Sequence, residues 1–578
     1  MAMKNIAYEV PGKDKEIFLD PPINRIPDLL AANRKKMLDY GFKVAGIPFQ
    51  VVREKTRKDI LYMSQRYTAK IQSLFCNNQK EGYFSVRNGN QNEMRSGERG
   101  DKTHGKEITM DCKAIRDIAI IQTGHEPVLY YPGIWIKNHL IHYLSEKLNG
   151  IGVNMIVDND ACNAGFLFMP VLSHEQASVQ KVMLVEGKAK MAYEEVVFND
   201  LRKIMQFREE VLALFRKNAT NQRVKTANEG MQTMFEWFTD AITRYYNRGC
   251  TDMAGLLTAV RCALEKEFCI HNLEVPVSRI GDIEGFSCFL LHIIYDASRF
   301  AEIYNNTLHE YRHVHNIRTK ANPMPDLVIT ENLIEIPFWV WTTGGNRMKC
   351  FVVNEKESIK VTDGSETLIT LSKNEAVPQH RARLKDLTKK GIKLRPRAIT
   401  TSMFSRLLFS DIFVHGIGGA KYDVITDAII REYFGVIPPG FITVSATLFL
   451  PLEACDLDIT DLQRRQHEIQ DIWYNPGRYA SNEIQRNTEF MQKAEEKQAL
   501  LKAMAGCSAG DKKQYFNRIR ELNAQMHHLM RDEILRREED VKKMEDKRLY
   551  NEVVRFREYP IYLYPMPVLQ KYFQHVFS

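Results

Sequence analysis

Apolar runs separated by glycine-rich turns predict two strand, turn, helix and strand units in this chain. The first unit has an apolar segment at residues 118–121, a turn, a helical segment at residues 134–148 and a second apolar segment at residues 153–157. The second unit repeats this order within residues 412–450, where a glycine-rich turn occupies residues 415–419. Parallel strands require a crossover connection, usually a helix, so both units predict β-α-β folding. We therefore expect the chain to return to the same sheet after a long excursion.

The segments around these two units change character along the chain. Residues 77–106 are polar and rich in Gly and Asn, which predicts an exposed loop, either a surface insertion or a lid. Residues 331–375 alternate between apolar and polar positions, which is typical of antiparallel hairpins. Between these regions helical periodicity predicts helices at residues 193–215, 232–246, 251–268 and 286–317.

The C-terminal region has a heptad-like pattern on both sides of a glycine-containing break at residues 505–510. Two helices joined there predict an antiparallel coiled-coil hairpin that packs on itself or forms a homodimer. The final aromatic segment should dock onto the body. The apolar positions of the pattern are Ile484, Met491, Ala494, Leu501 and Met504 before the break, and Tyr515, Ile519, Leu522, Met526 and Leu529 after it.

Together these patterns predict an α/β protein with a discontinuous Rossmann-like core, helical and antiparallel β insertions and a C-terminal helical hairpin. The expected division is residues 1–175 for the N-terminal segment and first half of the core, 176–330 for a helical domain, 331–375 for the hairpins, 376–456 for the second half of the core, 457–556 for the coiled-coil hairpin and 557–578 for the docking segment.

Composition narrows the class of protein without naming its function. The chain has 44% hydrophobic and 26% charged residues, as in ordinary globular proteins. Its net charge of +8 is distributed over 80 basic and 72 acidic residues, and no nucleic-acid-binding motif accompanies it. No apolar stretch approaches the roughly 20 residues that cross a bilayer. Ten scattered cysteines without a CxxC pair indicate reduced thiols. We therefore expect a cytoplasmic protein that binds neither nucleic acid nor membrane.

The glycine-rich turn of the second unit is the first candidate for chemistry. Glycines let backbone N–H groups approach phosphate oxygens closely, and His415 and Lys421 add positive charge. An ordinary tight turn is the alternative. Candidate nucleotide-binding residues in the two turns are Thr123, Gly124, Gly416, Gly418, Gly419 and Lys421, and His125 and His415 are candidate catalytic residues beside them.

Acidic and basic residues near the strand ends provide further candidates. Asp158 and Asp160 could bind Mg²⁺ or act as a general base, although solvated caps after a strand have the same pattern. Arg395 could clamp a carboxylate or phosphate bidentately, and the alternative is an exposed loop arginine.

A separate motif suggests a different enzyme class. Residues 309–313 fit HExxH, which on a helix places His309 and His313 on one face for zinc. Glu331 or Glu335 would supply the third ligand of a zinc-dependent hydrolase. The alternative is a basic, solvated helix end. Apart from this motif and the Mg²⁺ candidates Asp158 and Asp160, we assign no metal ligands.

The order of these parts resembles the cysteine-adding ligases of bacillithiol biosynthesis over most of the chain. The resemblance implies a nucleotidyltransferase-type core, a small-molecule substrate, ATP or another nucleotide with or without Mg²⁺, and a homodimer formed through the coiled coil. The matching segments are Thr123-Gly124-His125-Glu126, Tyr131-Pro132-Gly133, Lys137, Leu394-Arg395-Pro396 and residues 414–422.

In that family's chemistry a nucleotide activates a carboxylate or supplies phosphate, and an amine attacks to form an amide. The resemblance implies that His125 and His415 stabilise developing phosphate charge and that the glycines hold the phosphates. Asp158 or Asp160 would position magnesium or the amine, and Lys137 would contact the nucleotide. A non-catalytic assembly protein with a decayed core site is the remaining alternative.

Overall fold

The computed structural model describes residues 8–75, 112–162, 165–173, 177–186, 190–319, 321–504 and 509–577. The loop expected at residues 77–106 lies outside these ranges. Seven of the cysteines in these ranges are free thiols, which agrees with the scattered pattern.

The described ranges contain both strands and helices. The strands are β1 (Ile17–Asp20), β2 (Lys43–Val44), β3 (Ile47–Pro48), β4 (Ala119–His125), β5 (Gly150–Ile156), β6 (Gly165–Leu172), β7 (Ala177–Val185), β8 (Leu273–Pro276), β9 (Ile334–Thr342), β10 (Met348–Asn354), β11 (Ser358–Thr362), β12 (Thr367–Ser372), β13 (Ile392–Pro396), β14 (Ile412–His415) and β15 (Ile442–Ala446).

The helices that the structure describes differ widely in length. They are α1 (Ile26–Leu38), α2 (Phe49–Ser73), α3 (Cys112–Asp117), α4 (Pro132–Lys147), α5 (Arg202–Asn218), α6 (Lys225–Asn247), α7 (Met253–Lys266), α8 (Val277–Ile280), α9 (Glu284–Tyr295), α10 (Ala297–Val314), α11 (Val377–Lys389), α12 (Ala398–Phe404), α13 (Ile417–Phe434), α14 (Ile459–Ile472), α15 (Asn482–Gln485), α16 (Thr488–Met504), α17 (Ala509–Leu529), α18 (Arg531–Val554) and α19 (Met566–Phe573).

A six-stranded sheet in the order β1-β15-β14-β4-β5-β8 joins both predicted units. All its neighbours are parallel except β1, which pairs antiparallel with β15. The strands β4 and β14 are adjacent, with Ile412 opposite Ile121. The prediction that the chain returns to one sheet is confirmed. Because β14 lies next to β4, the turns that follow the two strands meet at one edge.

Side-chain alternation along β4 divides the interior into two cores. Ile121 belongs to a core with α4, α6 and α7, whereas Ile120 belongs to a core with α2, α9, α10 and α13. Successive side chains of a strand point to opposite faces, so these two cores cover the two sides of the sheet. Consequently α4 and α13, which follow the two adjacent strands, lie on opposite faces.

An antiparallel sheet in the order β12-β11-β10-β9-β13 confirms the predicted hairpins and extends them. Its last strand, β13, pairs antiparallel with β9 and carries Arg395. The sequence predicts a loop or the second half of the core for this residue. It instead belongs to the antiparallel sheet, because the segment pairs with a strand about fifty positions earlier.

The region with helical periodicity differs from the prediction in three places. The helix expected at residues 286–317 is two helices, α9 and α10, separated at Asp296. The helix expected from residue 193 begins at Arg202, after a short 3-10 turn. The segment also contains β8, which pairs with β5 in the six-stranded sheet.

The C-terminal helices α16 and α17 lie side by side and antiparallel, with Lys493 Nζ donating to Gln525 Oε1 at 2.8 Å. The buried positions of α17 include Leu522 and Met526, as the heptad pattern predicted. On α16 the predicted positions Met491 and Leu501 are exposed, and Phe490 is buried instead. The predicted positions Ile484 and Ala494 pack against the cluster that contains Phe490, so the predicted face is wrong only at Met491 and Leu501.

Candidate functional site

A cavity of about 690 Å³ opens at the carboxyl edge of the six-stranded sheet. The chain leaves β4 toward β5 and leaves β14 toward β15, in opposite directions across the sheet. Ligands of open α/β sheets bind in the crevice at such a switch point. The strand-end residues that line the cavity are Gly124, His125, Met155, Phe413, His415 and Ser445.

The N-terminus of α13 faces this cavity. Gly416 is the N-cap, and no side chain caps the helix. The first bond back to the cap runs from Ala420 N–H to the Gly416 carbonyl at 3.0 Å. The N–H groups of the three residues between them therefore have no acceptor within the helix. No acidic residue lies in this first turn. The helix end carries a partial positive charge and is suited to an anion.

The glycines of this turn leave the approach to the helix open. A Cβ atom added to Gly416 or Gly418 would meet no atom within 4 Å. A Cβ on Gly419 would lie 3.0 Å from Nδ1 of His415. Lys421, one turn further along, also lines the cavity and is exposed. The five predicted residues of this turn, from His415 to Lys421, thus share one wall of the cavity.

His415 is held in place by Asp423 on the following helix. The ring atom Nε2 lies 2.8 Å from Asp423 Oδ2, and only 8% of His415 is exposed. Asp423 also accepts hydrogen bonds from Ser402 Oγ at 2.6 Å and from Arg406 Nη1 at 2.5 Å. Burial alone would raise the pKa of Asp423, but Arg406 and His415 outweigh it and hold the pKa well below its usual range. The carboxylate is therefore ionised and accepts hydrogen bonds only.

The N-terminus of α4 forms the opposite wall. This helix starts at Pro132 without a side-chain cap. Gly133 packs tightly, since an added Cβ would lie 2.6 Å from Arg557 Nη2. Arg557 itself donates to Ser445 Oγ and to the Ala446 carbonyl, both at 3.1 Å. A second uncapped helix end therefore borders the cavity, with an arginine beside it.

Lys137 lies one turn inside α4 and is 3% exposed. Its Nζ atom donates to the Gly124 carbonyl at 2.9 Å. Burial, followed by the positive charge of Arg261, lowers the pKa of Lys137 to about 7. Lys137 is a buried amine that lines the cavity, and an anionic ligand there would favour its charged form.

His125 lines the cavity but has a different electrostatic character from the one that we expected. Burial and the nearby charge of Lys137 lower the pKa of His125 to about 3. Its Nδ1 atom lies 3.2 Å from the Glu126 carbonyl oxygen. A neutral imidazole does not supply positive charge to a phosphate at neutral pH. Lys137 is better suited to that role.

Two carboxylates, Glu126 and Asp160, form the acidic side of the cavity. Asp160 Oδ1 accepts a hydrogen bond from Arg347 Nη1 at 2.8 Å. The hydroxyl of Tyr193 lies 3.4 Å from Glu126 Oε2. Burial, and then the charge of Asp160, raises the pKa of Glu126. Paired carboxylate oxygens of this kind fit a divalent cation or an ammonium group, which would relieve their repulsion.

Three of the predicted site residues are not among the residues that line the cavity. Asp158 accepts hydrogen bonds from Ser278 N–H at 2.8 Å and Ser278 Oγ at 2.5 Å. Thr123 Oγ1 donates to the Val414 carbonyl at 2.8 Å and so joins β4 to β14. Arg395 pairs with Glu194 at 3.0 Å and is buried. These residues position strands and loops, which is a correction to their assigned roles.

The HExxH motif lies on α10, where His309 and His313 are exposed. His309 Nε2 is 3.3 Å from Asp326 Oδ2, and the proposed third ligand Glu335 is fully buried beside Lys349. Within the described ranges, the one group of three potential metal ligands close enough to share an ion is Cys262, Glu265 and Glu274. The motif therefore does not form a zinc site with either proposed glutamate there.

Several cavity residues were missed in the sequence. Asp423 and Ser402 support His415, Arg557 comes from the C-terminal segment, and Glu126 forms the acidic side with Asp160. Glu126 was noticeable as part of the first turn. Asp423 lies eight positions after His415 on the next helix, whereas Ser402 and Arg557 gain their roles only when more distant segments meet.

Comparison with protein-family models gives no match, and comparison with curated proteins gives none either. None of the helices in the described ranges has the length and apolar character needed to span a bilayer. The function is therefore inferred from the geometry of the cavity.

Proposed function

We propose that this protein is a nucleotide-dependent ligase or transferase that acts on a small molecule. One observation carries the proposal: the uncapped, glycine-rich N-terminus of α13 and the buried His415 border one cavity at the carboxyl edge of a parallel sheet. Free backbone N–H groups at such a position are suited to phosphate oxygens. The proposal assigns the nucleotide phosphates to this helix end.

The cavity provides both charge and room for a nucleotide. Lys137 and Lys421 line it together with the α13 N-terminus. A volume of about 690 Å³ lies within the range of about 300–1,000 Å³ found for small-molecule sites. A nucleotide phosphate group would give Lys137 the counter-ion that it lacks among the described residues, and it would thereby favour the charged form of this lysine.

The acidic side of the cavity is assigned to the second reactant. Glu126 and Asp160 would hold Mg²⁺ against the phosphates, or they would hold the amine that attacks the activated group. The carboxylates are hard oxygen ligands, which magnesium prefers, so this donor set fits the ion. A magnesium ion here would supply charge neutralisation of the transferred group.

The architecture supports the same class of reaction. We interpret the six-stranded sheet as a discontinuous Rossmann-like core of nucleotidyltransferase type, with the two βαβ units as its halves. The presence of both turns in one crevice is what the resemblance to the cysteine-adding ligases requires. A small-molecule acceptor stays a prediction from that resemblance, and a cytoplasmic location stays a prediction from the composition of the sequence.

The helical hairpin is assigned to homodimer formation. Leu501 on α16 and Phe516 on α17 are exposed, with 44% and 61% of their surface accessible. Exposed large apolar side chains on adjacent helices are typical of an association surface. A coiled-coil contact with a second copy of the chain would cover them.

A thermal-shift screen with ATP, CTP and ADP, each with and without Mg²⁺, tests the proposal on the full-length protein. We expect at least one nucleotide to raise the melting temperature in a concentration-dependent manner. The exposed His309→Ala variant should respond in the same way as the wild type. No shift with any nucleotide would remove the proposed function.

A further inference from the structure

The ring of His415 has one engaged nitrogen and one free nitrogen. Nε2 is bound to Asp423 at 2.8 Å. The ring packs against Phe413 and Phe441, with centroid distances of 4.4 and 5.0 Å. In the ranges that the structure describes, no hydrogen bond engages Nδ1. These contacts fix the orientation of the ring, so the position of Nδ1 is also fixed.

Nδ1 is directed at the first turn of α13. It lies 3.0 Å from the point that a Cβ atom on Gly419 would occupy. The N–H groups of Gly418 and Gly419 are among those without an acceptor in the helix. A group attached to Nδ1 would therefore enter the space that the glycines leave open. That space has the partial positive charge of a helix N-terminus.

Asp423 determines which tautomer the ring adopts. Its carboxylate is ionised and can only accept a hydrogen bond, so Nε2 carries the proton. The lone pair of the neutral imidazole is then on Nδ1. A histidine oriented by a carboxylate in this way presents a basic and nucleophilic nitrogen to the cavity.

We propose that His415 Nδ1 accepts a phosphoryl group from a nucleoside triphosphate and forms a phosphohistidine intermediate. This inference rests on the proposed nucleotide-dependent function. The Nδ1 lone pair attacks the γ-phosphorus, and the N–P bond forms. The bond from the γ-phosphorus to the β,γ-bridging oxygen breaks, and its electron pair leaves with the nucleoside diphosphate. Nε2–H stays in place, and Asp423 balances the positive charge of the phosphorylated ring.

The second half of the reaction restores the enzyme. A carboxylate oxygen of the acceptor attacks the phosphorus, the N–P bond breaks, and its electron pair returns to Nδ1. The products are an acyl phosphate and the neutral histidine with its proton still on Nε2. The N–H groups of the α13 turn would stabilise the phosphoryl oxygens in both transfer steps. An amine can then displace phosphate from the acyl phosphate to give an amide.

The test uses the full-length protein with Mg²⁺ and ATP, GTP or CTP labelled at the γ-phosphate, without an acceptor. We expect a labelled protein that is stable in alkali and loses its label in acid, with the phosphate located at residue 415 by mass spectrometry. His415→Gln should abolish the label, and His309→Gln should retain it. Asp423→Asn should slow labelling by about a hundredfold or more, since loss of the correct tautomer in a Ser-His-Asp arrangement costs up to ~10⁴-fold.

A second variant covers the case in which Asp423→Asn does not fold. Gly419→Ala introduces a methyl group beside Nδ1 in a helical residue, where alanine is favoured over glycine. It should remain folded and lose the label. Nucleotide binding without γ-label at residue 415, or transfer of label from the α-phosphate, would overturn this inference while the proposed function stands. Absence of any nucleotide binding would remove both.

Discussion

The ammonium group of Lys137 lies 2.9 Å from the carbonyl oxygen of Gly124, at the end of β4. Lys137 forms no ion pair with a carboxylate in the described part of the chain. A buried cation with one carbonyl partner is costly, and that cost is expressed as a lowered pKa. An anionic ligand in the adjacent cavity would remove it. Lys137 should therefore affect the stability of the fold, the pH dependence of that stability and the binding of an anionic ligand.

Replacement of Lys137 by methionine should change how stability depends on pH. The pKa of Lys137 is lowered to about 7 in the folded protein from an ordinary value of 10.5. Between these values the unfolded chain binds more protons, so the free energy of unfolding rises with pH. The destabilisation caused by burying the charged lysine is complete below pH 7 and absent above pH 10.5. Urea denaturation should show that the free energy of unfolding rises less between pH 7 and pH 9.5 for Lys137→Met than for the wild type. Equal slopes would contradict the assignment.

Replacement of Glu126 by glutamine should have the opposite pH signature. The pKa of Glu126 is raised by burial and by Asp160, so the folded protein binds more protons above the ordinary carboxyl value of 4.5. The contribution of Glu126 to the stability of the wild type therefore falls as pH rises from 4.5 to about 7. Glu126→Gln should be more stable than the wild type at pH 8 and little different at pH 5. The exposed Glu432→Gln variant is the matched control.

Magnesium should have different effects on the wild type and on Glu126→Gln at pH 8. A divalent cation between Glu126 and Asp160 would relieve their repulsion, so Mg²⁺ should raise the melting temperature of the wild type more than that of Glu126→Gln. Calcium is a useful comparison because it tolerates more variable coordination geometry than magnesium. An identical Mg²⁺ response in both proteins would exclude a cation site at this carboxylate pair.

Arg261 should be essential to the stability of the fold. It pairs with Glu265 and with Glu274 at 2.6 Å each, and all three side chains are buried. Glu265 also accepts hydrogen bonds from Trp135 and Asn138 on α4. Removing the cation that pairs with two buried carboxylates typically costs about 3–5 kcal/mol. Arg261→Met should therefore lower the free energy of unfolding strongly.

The matched control for Arg261 is an exposed arginine. Arg464 pairs with Asp461 and Glu468 on the surface of α14. Surface ion pairs contribute roughly 0–1 kcal/mol, so Arg464→Met should change stability little. Chemical denaturation of the two variants at pH 7 compares the two costs. A similar loss in both would show that the buried network is not needed for stability.

The exposed side chains of the helical hairpin give a test of assembly. Leu501→Glu combined with Phe516→Glu should convert a dimer to a monomer without loss of helical content, because both positions face outward. Light scattering coupled to size exclusion measures the mass. Leu549→Glu, on an exposed position of α18, should leave the mass unchanged. A wild type that is monomeric at micromolar concentration would refute the dimer.

The parallel core was predictable because its strands are continuous apolar runs. Ile120, Ile121 and Val414 lie between two covered faces, and such strands lack polar alternation. The strand β8 was not predictable, since it contains Glu274 and Pro276. Burial of Glu274 depends on Arg261, thirteen positions earlier on α7. A local pattern does not reveal a charge that is neutralised by a neighbouring helix.

The site was predictable in its glycines and less so in its charged residues. Gly416 and Gly418 stood out because a turn follows an apolar strand. Asp158 and Asp160 are two positions apart, yet one binds Ser278 and the other lines the cavity. Arg395 forms an ion pair with Glu194, which lies about two hundred positions earlier in the sequence. These outcomes depend on how α8 and the antiparallel sheet pack near the end of β5, which no local pattern specifies.

The most direct test of the central claim is calorimetric titration of ATP, with Mg²⁺, into the wild type, Gly418→Asp and the exposed control Gly41→Asp. A Cβ at either glycine meets no atom within 4 Å, and neither residue has a positive φ. An aspartate in the first turn of α13 should preserve or raise the melting temperature, since it is favourable by about 0.3–1 kcal/mol at a helix N-terminus. It should weaken ATP binding by at least about a hundredfold, or about 2.7 kcal/mol. Gly41→Asp should bind like the wild type. Equal affinity of Gly418→Asp and the wild type, or no binding by the wild type, would contradict nucleotide binding at this helix end.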